Sequence, residues 1–274
     1  MIRTAWLVAT IAWLATAAAG AQDSRGQLPV DLELVIAVDV SRSMDREEFE
    51  LQRFGYIDAI RDPDFVRAIR RGKSRRIALS YVEWSGSRLQ RIVIPWRLID
   101  GGDSAVAFAD ELAGHEIPRS HSGDCQDPAE CGTSISAALS LGADLLDANS
   151  FEGERRVIDI SGDGPNNSGR PATEARDKVL TRGIIINGLP ILIRPSPVFP
   201  EIDRYYSDCV IGGQGSFVLP VYQAEELAIA IRRKLILEVA GVLADQLIQV
   251  GTVEPVDCLI GERSLNPFLL PPGD

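Results

Sequence analysis

The stretch VIAVDVSRSMDREEFE, residues 35–50, ends an apolar run in an aspartate and places two serines after it at every second position. In an extended chain, Asp39, Ser41 and Ser43 would share one face. A carboxylate and two hydroxyls are hard oxygen donors, suited to Mg2+, Mn2+ or Ca2+ rather than to metals that favour thiolates. Two other stretches can complete such a shell. Thr133, in CGTSISAAL, stands after a loop at the start of a helical pattern. Asp163, in SGDGP, follows a strand-like run and precedes a glycine. The same site could instead activate a water for metal-assisted hydrolysis, which needs a nearby base; Asp45 and Glu83 are the carboxylates to consider.

The elements that must hold these residues are legible as alternating strands and helices. LELVIAVDV is nearly continuous in apolar residues, as in a central strand covered on both faces. DREEFELQRFGYIDAIRD, with Phe49, Tyr56, Ile57 and Ile60 at helical spacing, is predicted as an amphipathic helix that ends at RDPDF, leaving Asp62 and Asp64 as solvated turn residues. RRIALSYVEWS and RLQRIVIPWRLI form a predicted hairpin. Further helices are expected over SAVAFADELAGH, TSISAALSLGADLLDAN, ATEARDKVLTRG and AEELAIAIRRKLILEVAG, and strands over RRVIDISGDG, IIINGLPILI and FVLPV. This order predicts an α/β domain with a mainly parallel sheet. Ligands of such sheets bind beyond the carboxyl ends of the strands, which is where Asp39 and Asp163 fall.

With those residues in view, VDVSRS resembles the D-x-S-x-S signature of the von Willebrand factor A (VWA) superfamily. Gly132-Thr133 and Asp163-Gly164 match the second and third loops of its metal-ion-dependent adhesion site, in the same order. VDVSRSMD, CGTSIS and DISGDGPNN are also similar to the exported bacterial group DUF1194. The resemblance covers residues 30–240 and implies a Rossmann-like fold with helices flanking the sheet and a metal held by Asp39, Ser41, Ser43, Thr133 and Asp163. It further implies that an acidic residue of a protein partner fills the open position on the metal. The sequence offers no convincing nucleophile–base pair, so no catalysis is expected. The chain departs from the family at Gly162, where many relatives have serine or threonine, and in the insertion SHSGDCQDPAEC, which is expected to shape partner choice.

Composition is consistent with an exported protein that binds a cation. The chain has 274 residues and a net charge of −11, which argues against nucleic-acid binding, a task that needs a basic face. Residues 1–21 read as a signal peptide: Arg3, an apolar run over residues 5–19, then Ala19-Gly20-Ala21 as a cleavage site. The alternative is an uncleaved anchor, although the run falls short of the roughly 20 residues that span a bilayer. No lipid-anchoring cysteine follows, and the expected location is periplasmic or secreted. Four cysteines in an oxidising compartment allow three pairings; closeness in sequence favours Cys125–Cys131, leaving Cys209–Cys258 to tether the tail, residues 241–274.

Other motifs carry blander readings. Ser41, Ser43 and Thr133 are all of the type that caps helices. Gly102-Asp103-Ser104, with His115 or His121 as base, would be needed for a serine hydrolase, but its position suits a helix cap. His121, Cys125 and Cys131 match no common zinc spacing. The glycines of residues 211–216 are expected in a turn, and Asn166 matters as a glycosylation acceptor only in a eukaryotic secretory pathway.

Overall fold

The computed structural model describes residues 26–44, 46–116, 127–195, 199–241 and 256–265. The signal segment, most of the insertion before Thr133 and part of the tail lie outside them. Five strands, β1 (Leu28–Asp39), β2 (Ile77–Trp84), β3 (Gln90–Ile99), β4 (Phe151–Gly162) and β5 (Ile185–Pro190), form one sheet in the order β3-β2-β1-β4-β5. β1 pairs in parallel with β2 and β4, and β4 with β5; only the β2–β3 hairpin is antiparallel. This is the mainly parallel sheet that the apolar runs predict.

β1 is buried on both faces because its residues alternate between two cores. Leu34, Ile36 and Val38 face α1 (Arg46–Arg61), α2 (Pro63–Arg70), α3 (Gly102–Gly114) and the last long helix; Val35 and Ala37 face the other layer. That second layer holds α5 (Ile135–Asp147) and α6 (Ala172–Leu180), preceded by the single turn α4 (Pro128–Cys131). Beyond β5, α7 (Ile202–Tyr205) runs into a π-helical turn, Tyr206–Val210. The chain then closes with α8 (Ala224–Ala240) against α1 and α2, and α9 (Ile260–Leu265).

Two local expectations are corrected. Asp62 and Asp64 do not sit in a solvated turn. Asp62 caps α2, accepting from the Asp64 amide at 2.7 Å with Pro63 opening the helix, and both pair with Arg232 of α8. FVLPV, residues 217–221, makes isolated bridges from Val218 and Val221 rather than a strand; Pro220 lacks the amide that a continuous ladder needs. α7 and the turn after it have no counterpart in the sequence reading.

The register sets the site. Val38 lies opposite Ser161, so the chain leaves β1 and β4 side by side at the same sheet edge. Asp39 and Asp163 are thereby brought together from 124 positions apart in sequence. Among the described residues, no helix is long and apolar enough to cross a membrane.

Candidate metal centre

Asp39 is fully buried, and its Oδ1 accepts the Ser41 amide at 2.7 Å. That bond makes an Asx turn, which bends the chain directly after β1. The three side chains therefore converge through a turn and not through strand alternation, as the sequence spacing had indicated. Ser41 Oγ and Ser43 Oγ share a hydrogen bond at 2.9 Å, and Ser43 Oγ donates to Asp163 Oδ1 at 2.6 Å. Among the described residues, the hydroxyls of both serines bond within this cluster.

Thr133 reaches the same cluster from the second loop, donating from Oγ1 to Ser41 Oγ at 3.4 Å. Its hydroxyl has no capping duty, because the cap of α5 is Ser134, which accepts from the Ala137 amide. The Thr133 backbone is gripped on both sides: its amide donates to Asn167 Oδ1 at 2.8 Å, and its carbonyl accepts from the Asn167 amide at 2.8 Å. The Arg42 amide donates to the Cys131 carbonyl, which joins the first loop to the second. All five residues singled out in the sequence thus meet in one hydrogen-bonded cluster.

The cluster fits a hard cation by an internal test. Asp39 Oδ2 is buried without a hydrogen-bond partner, and so is the Tyr206 hydroxyl beside it. The donors are two carboxylates and three hydroxyls, all oxygen. Among the described residues, no group of three or more His, Cys, Asp or Glu side chains is placed to hold a metal, and this cluster has only two carboxylates. Burial, and then the charge of Asp163, pushes the Asp39 carboxyl well above the usual carboxylate range. Burial, followed by the nearby Glu48 carboxylate, pushes Asp163 up to about 6 against the hydrogen bond from Ser43. Two desolvated carboxylates facing each other are a strained arrangement that a cation would relieve.

Gly162 is required by this geometry. A methyl there would lie 2.7 Å from both Asp39 Oδ2 and the Tyr206 hydroxyl oxygen, too close for either. Glycine at this position leaves room for Tyr206. Gly162→Ala is expected to weaken cation binding at least tenfold and to destabilise the fold by about 1–3 kcal/mol, as overpacking does; calorimetry and urea unfolding check the two effects.

Sequence reasoning missed four residues here: Tyr206, Asn166, Asn167 and Glu48. Glu48 is buried and pairs with Arg194 at 2.9 Å, close enough to Asp163 for both to act on its charge. The asparagine pair directly after Gly164-Pro165 is the one signal that was visible in the sequence. Asn166 is fully buried and cannot serve as a glycosylation acceptor.

The rival motifs have other employment. Ser104 Oγ accepts the Asp100 and Gly101 amides at the start of α3, and His115 ends that helix. Glu83 is buried and paired with Arg53 and Arg91. Gly213 and Gly215, both at positive φ, sit in the expected turn. Asp45, His121 and Cys125 lie outside the described residues, and with them the Cys125–Cys131 pairing. The other expected bridge, Cys209–Cys258, is present.

Comparison with known proteins agrees with the fold. The family model described as "Protein of unknown function (DUF1194)" matches residues 29–243. No curated protein matches. Proximal thread matrix protein 1 from the mussel byssus is similar at 13% identity and a TM-score of 0.52, over 78% of this chain and 49% of that one. The pilus adhesin SpaC from Lactobacillus rhamnosus GG is similar at 14% identity and 0.51, over 77% and 31%. The vWF domain of the type V pili tip protein Mfa5 from Porphyromonas gingivalis is similar at 8% identity and 0.52, over 83% and 98%. The chain spans half or less of the length of the first two. At these identities the likeness is one of fold.

Proposed function

The chain belongs to the DUF1194 family and folds as a von Willebrand factor A domain, and from that premise we propose that it binds a divalent cation through Asp39, Ser41, Ser43, Thr133 and Asp163 and recognises a protein partner through it. The reading is carried by one observation: oxygens from three loops converge on a buried carboxylate, Asp39, whose Oδ2 has no partner. Mg2+ is favoured, with Mn2+ or Ca2+ as alternatives, since all three take oxygen ligands. Bound there, the cation supplies an electrophilic position that an acidic side chain of the partner can occupy. The chain's own part is to hold the two carboxylates and three hydroxyls in place. With only Asp39 and Asp163 contributing formal charge, the cation keeps enough positive charge to attract a further carboxylate.

We place the protein outside the cytoplasm, in the periplasm or secreted. The Cys209–Cys258 disulfide supports this, since such bonds persist in oxidising compartments. The pilus proteins among the similar structures belong to that setting by their names, and adhesion is the matching class of function. We propose no catalysis; the hydrolase alternative would need a base, and Glu83 is already committed to two arginines.

The test is calorimetric titration of Mg2+, Mn2+ and Ca2+ into metal-stripped protein, followed by capture of partners with and without chelator. One-to-one binding and chelator-sensitive capture are expected. Capture that ignores chelator would sink the bridging role, and turnover of a phosphate or acyl ester lost with Asp39→Ala would favour the hydrolase.

The pH dependence of binding has a definite sign. A carboxyl whose folded pKa is raised stabilises the cation-free fold most below its ordinary value near 3.8, and that contribution is lost as pH rises through about 6. A cation needs the deprotonated form, so its uptake expels protons. Affinity at pH 5 is expected to be about tenfold or more below that at pH 7.5, with proton release detectable by titration in buffers of different ionisation enthalpy. Affinity that stays flat across this range would contradict the proposed ligands.

A further inference from the structure

The tail returns to the cation site. Cys258 is bonded to Cys209 in the π-helical turn that begins with Tyr206, whose hydroxyl lies beside Asp39. From there α9 lies directly on the third ligand loop. A methyl at Gly261 would fall 2.1 Å from the Asn166 carbonyl oxygen, so the two backbones are in contact. The next residue, Glu262, accepts through Oε1 from Asn166 Nδ2 at 2.8 Å.

Asn166 is the junction of the site's scaffold. Its Oδ1 accepts the Ser136 amide at 3.0 Å in the first turn of α5, and its own amide donates to the Tyr205 hydroxyl at 3.2 Å. Its neighbour Asn167 holds both the amide and the carbonyl of Thr133. Asp163 lies three residues before Asn166 in the same loop. Glu262 is thus linked through two asparagines to the loops that carry Thr133 and Asp163. Outer partners of this kind orient ligands, and losing one typically costs 10–100-fold in metal affinity.

We propose that residues 256–265 form a disulfide-fastened brace for the cation site, in which Glu262 is the positioning residue that sets Thr133 and Asp163 through Asn166 and Asn167. The brace rests on the cation reading above. It makes the site dependent on the oxidation state of Cys209–Cys258: a chain with that bond open holds its ligand loops more loosely and binds the cation more weakly. The chemistry of Glu262 is acceptance of one amide hydrogen bond, so a glutamine can replace it and an alanine cannot.

The experiment compares four forms of the purified protein: wild type, Glu262→Ala, Glu262→Gln, and the double variant Cys209→Ala with Cys258→Ala. The double variant is preferred to a reductant because it leaves the disulfide at Cys131 closed. Each is titrated with Mn2+, and amide hydrogen exchange is followed in the cation-free state over residues 132–136 and 163–168. Expected are affinities about tenfold lower for Glu262→Ala and the double variant, wild-type affinity for Glu262→Gln, and faster exchange in both loops wherever affinity falls. A tail that merely adds stability would lower the unfolding midpoint without changing the affinity of the folded protein or the exchange of those loops, and that result overturns the brace. Equal Mn2+ affinity in all four forms overturns the brace and leaves the cation site standing. Absence of binding by wild type overturns both.

Discussion

Asp39→Asn is expected to abolish cation binding and, without cation, to raise the melting temperature. The two effects share one cause. Asp39 is fully buried, and its carboxyl is pushed upward first by that burial and then by the charge of Asp163. The substitution removes a desolvated negative charge while keeping the shape. The amide oxygen can still accept from the Ser41 amide, the bond that makes the Asx turn. The amide nitrogen takes the place of Oδ2, which is buried without a partner. Replacing a buried, unpaired charge by a neutral group of the same shape is expected to add about 1–2 kcal/mol at pH 7.5, equivalent to about 2–8 °C in a domain of this size. The gain should shrink at pH 5, where the wild-type pair is itself partly neutralised. Loss of a direct ligand should cost more than the roughly 10–100-fold typical of an outer partner. Scanning calorimetry at both pH values and Mn2+ titration test this together. A variant that is less stable without cation would mean that the Asp39–Asp163 pair is not under electrostatic strain.

The parts of this site that were legible in the sequence are those written in consecutive residues. A buried central strand needs an unbroken apolar run, and LELVIAVDV supplies one that stops at its ligand. The hydroxyls of Ser41 and Ser43 stand out because they repeat at every second position after that aspartate, although serines before a helix also serve as caps. What the sequence concealed depends on distant contacts. Tyr206 reads as one more aromatic before a cysteine until β5 and the π-helical turn carry it next to Asp39. Asn166 and Asn167 read as loop residues, although their side chains fix the backbone of Thr133. α2 was hidden because an eight-residue helix opening with Pro63 looks like the end of the helix before it. Alternation gave the right grouping of Asp39, Ser41 and Ser43 for the wrong geometric reason, since a tight turn also brings positions i, i+2 and i+4 together.

The same limit applies to Lys234, which in RRKLIL passes for one more cation on the polar face of α8. It is buried at 1% side-chain exposure, with Nζ 2.6 Å from Asp159 Oδ1 and 2.7 Å from Glu238 Oε1. The ammonium also lies 4.9 Å from the centre of the Phe217 ring. Asn187 completes the network, donating to Glu238 Oε2 at 2.7 Å and accepting the Phe217 amide at 2.8 Å. Replacing Lys234 by methionine would leave two buried carboxylates facing each other without a counter-ion, a change that typically costs about 3–5 kcal/mol. With a slope of about 2–3 kcal/mol per molar urea, the unfolding midpoint should fall by about 1–2 M. Acidification should recover part of the loss: burial already pushes Asp159 up to about 6 in spite of Lys234, and without the lysine it protonates at still higher pH. Adding Asp159→Asn and Glu238→Gln to Lys234→Met should restore most of the stability, because the damage comes from unpaired charge and not from lost volume. Asp159 lies on β4, four residues before Asp163, so the triple variant also tests whether the strand needs charge to hold the ligand. A triple variant that folds and binds cation like wild type would make the cluster a matter of core electrostatics alone. An unchanged urea midpoint in the single variant would show that the two carboxylates do not depend on the ammonium, and that Lys234 is held by its packing.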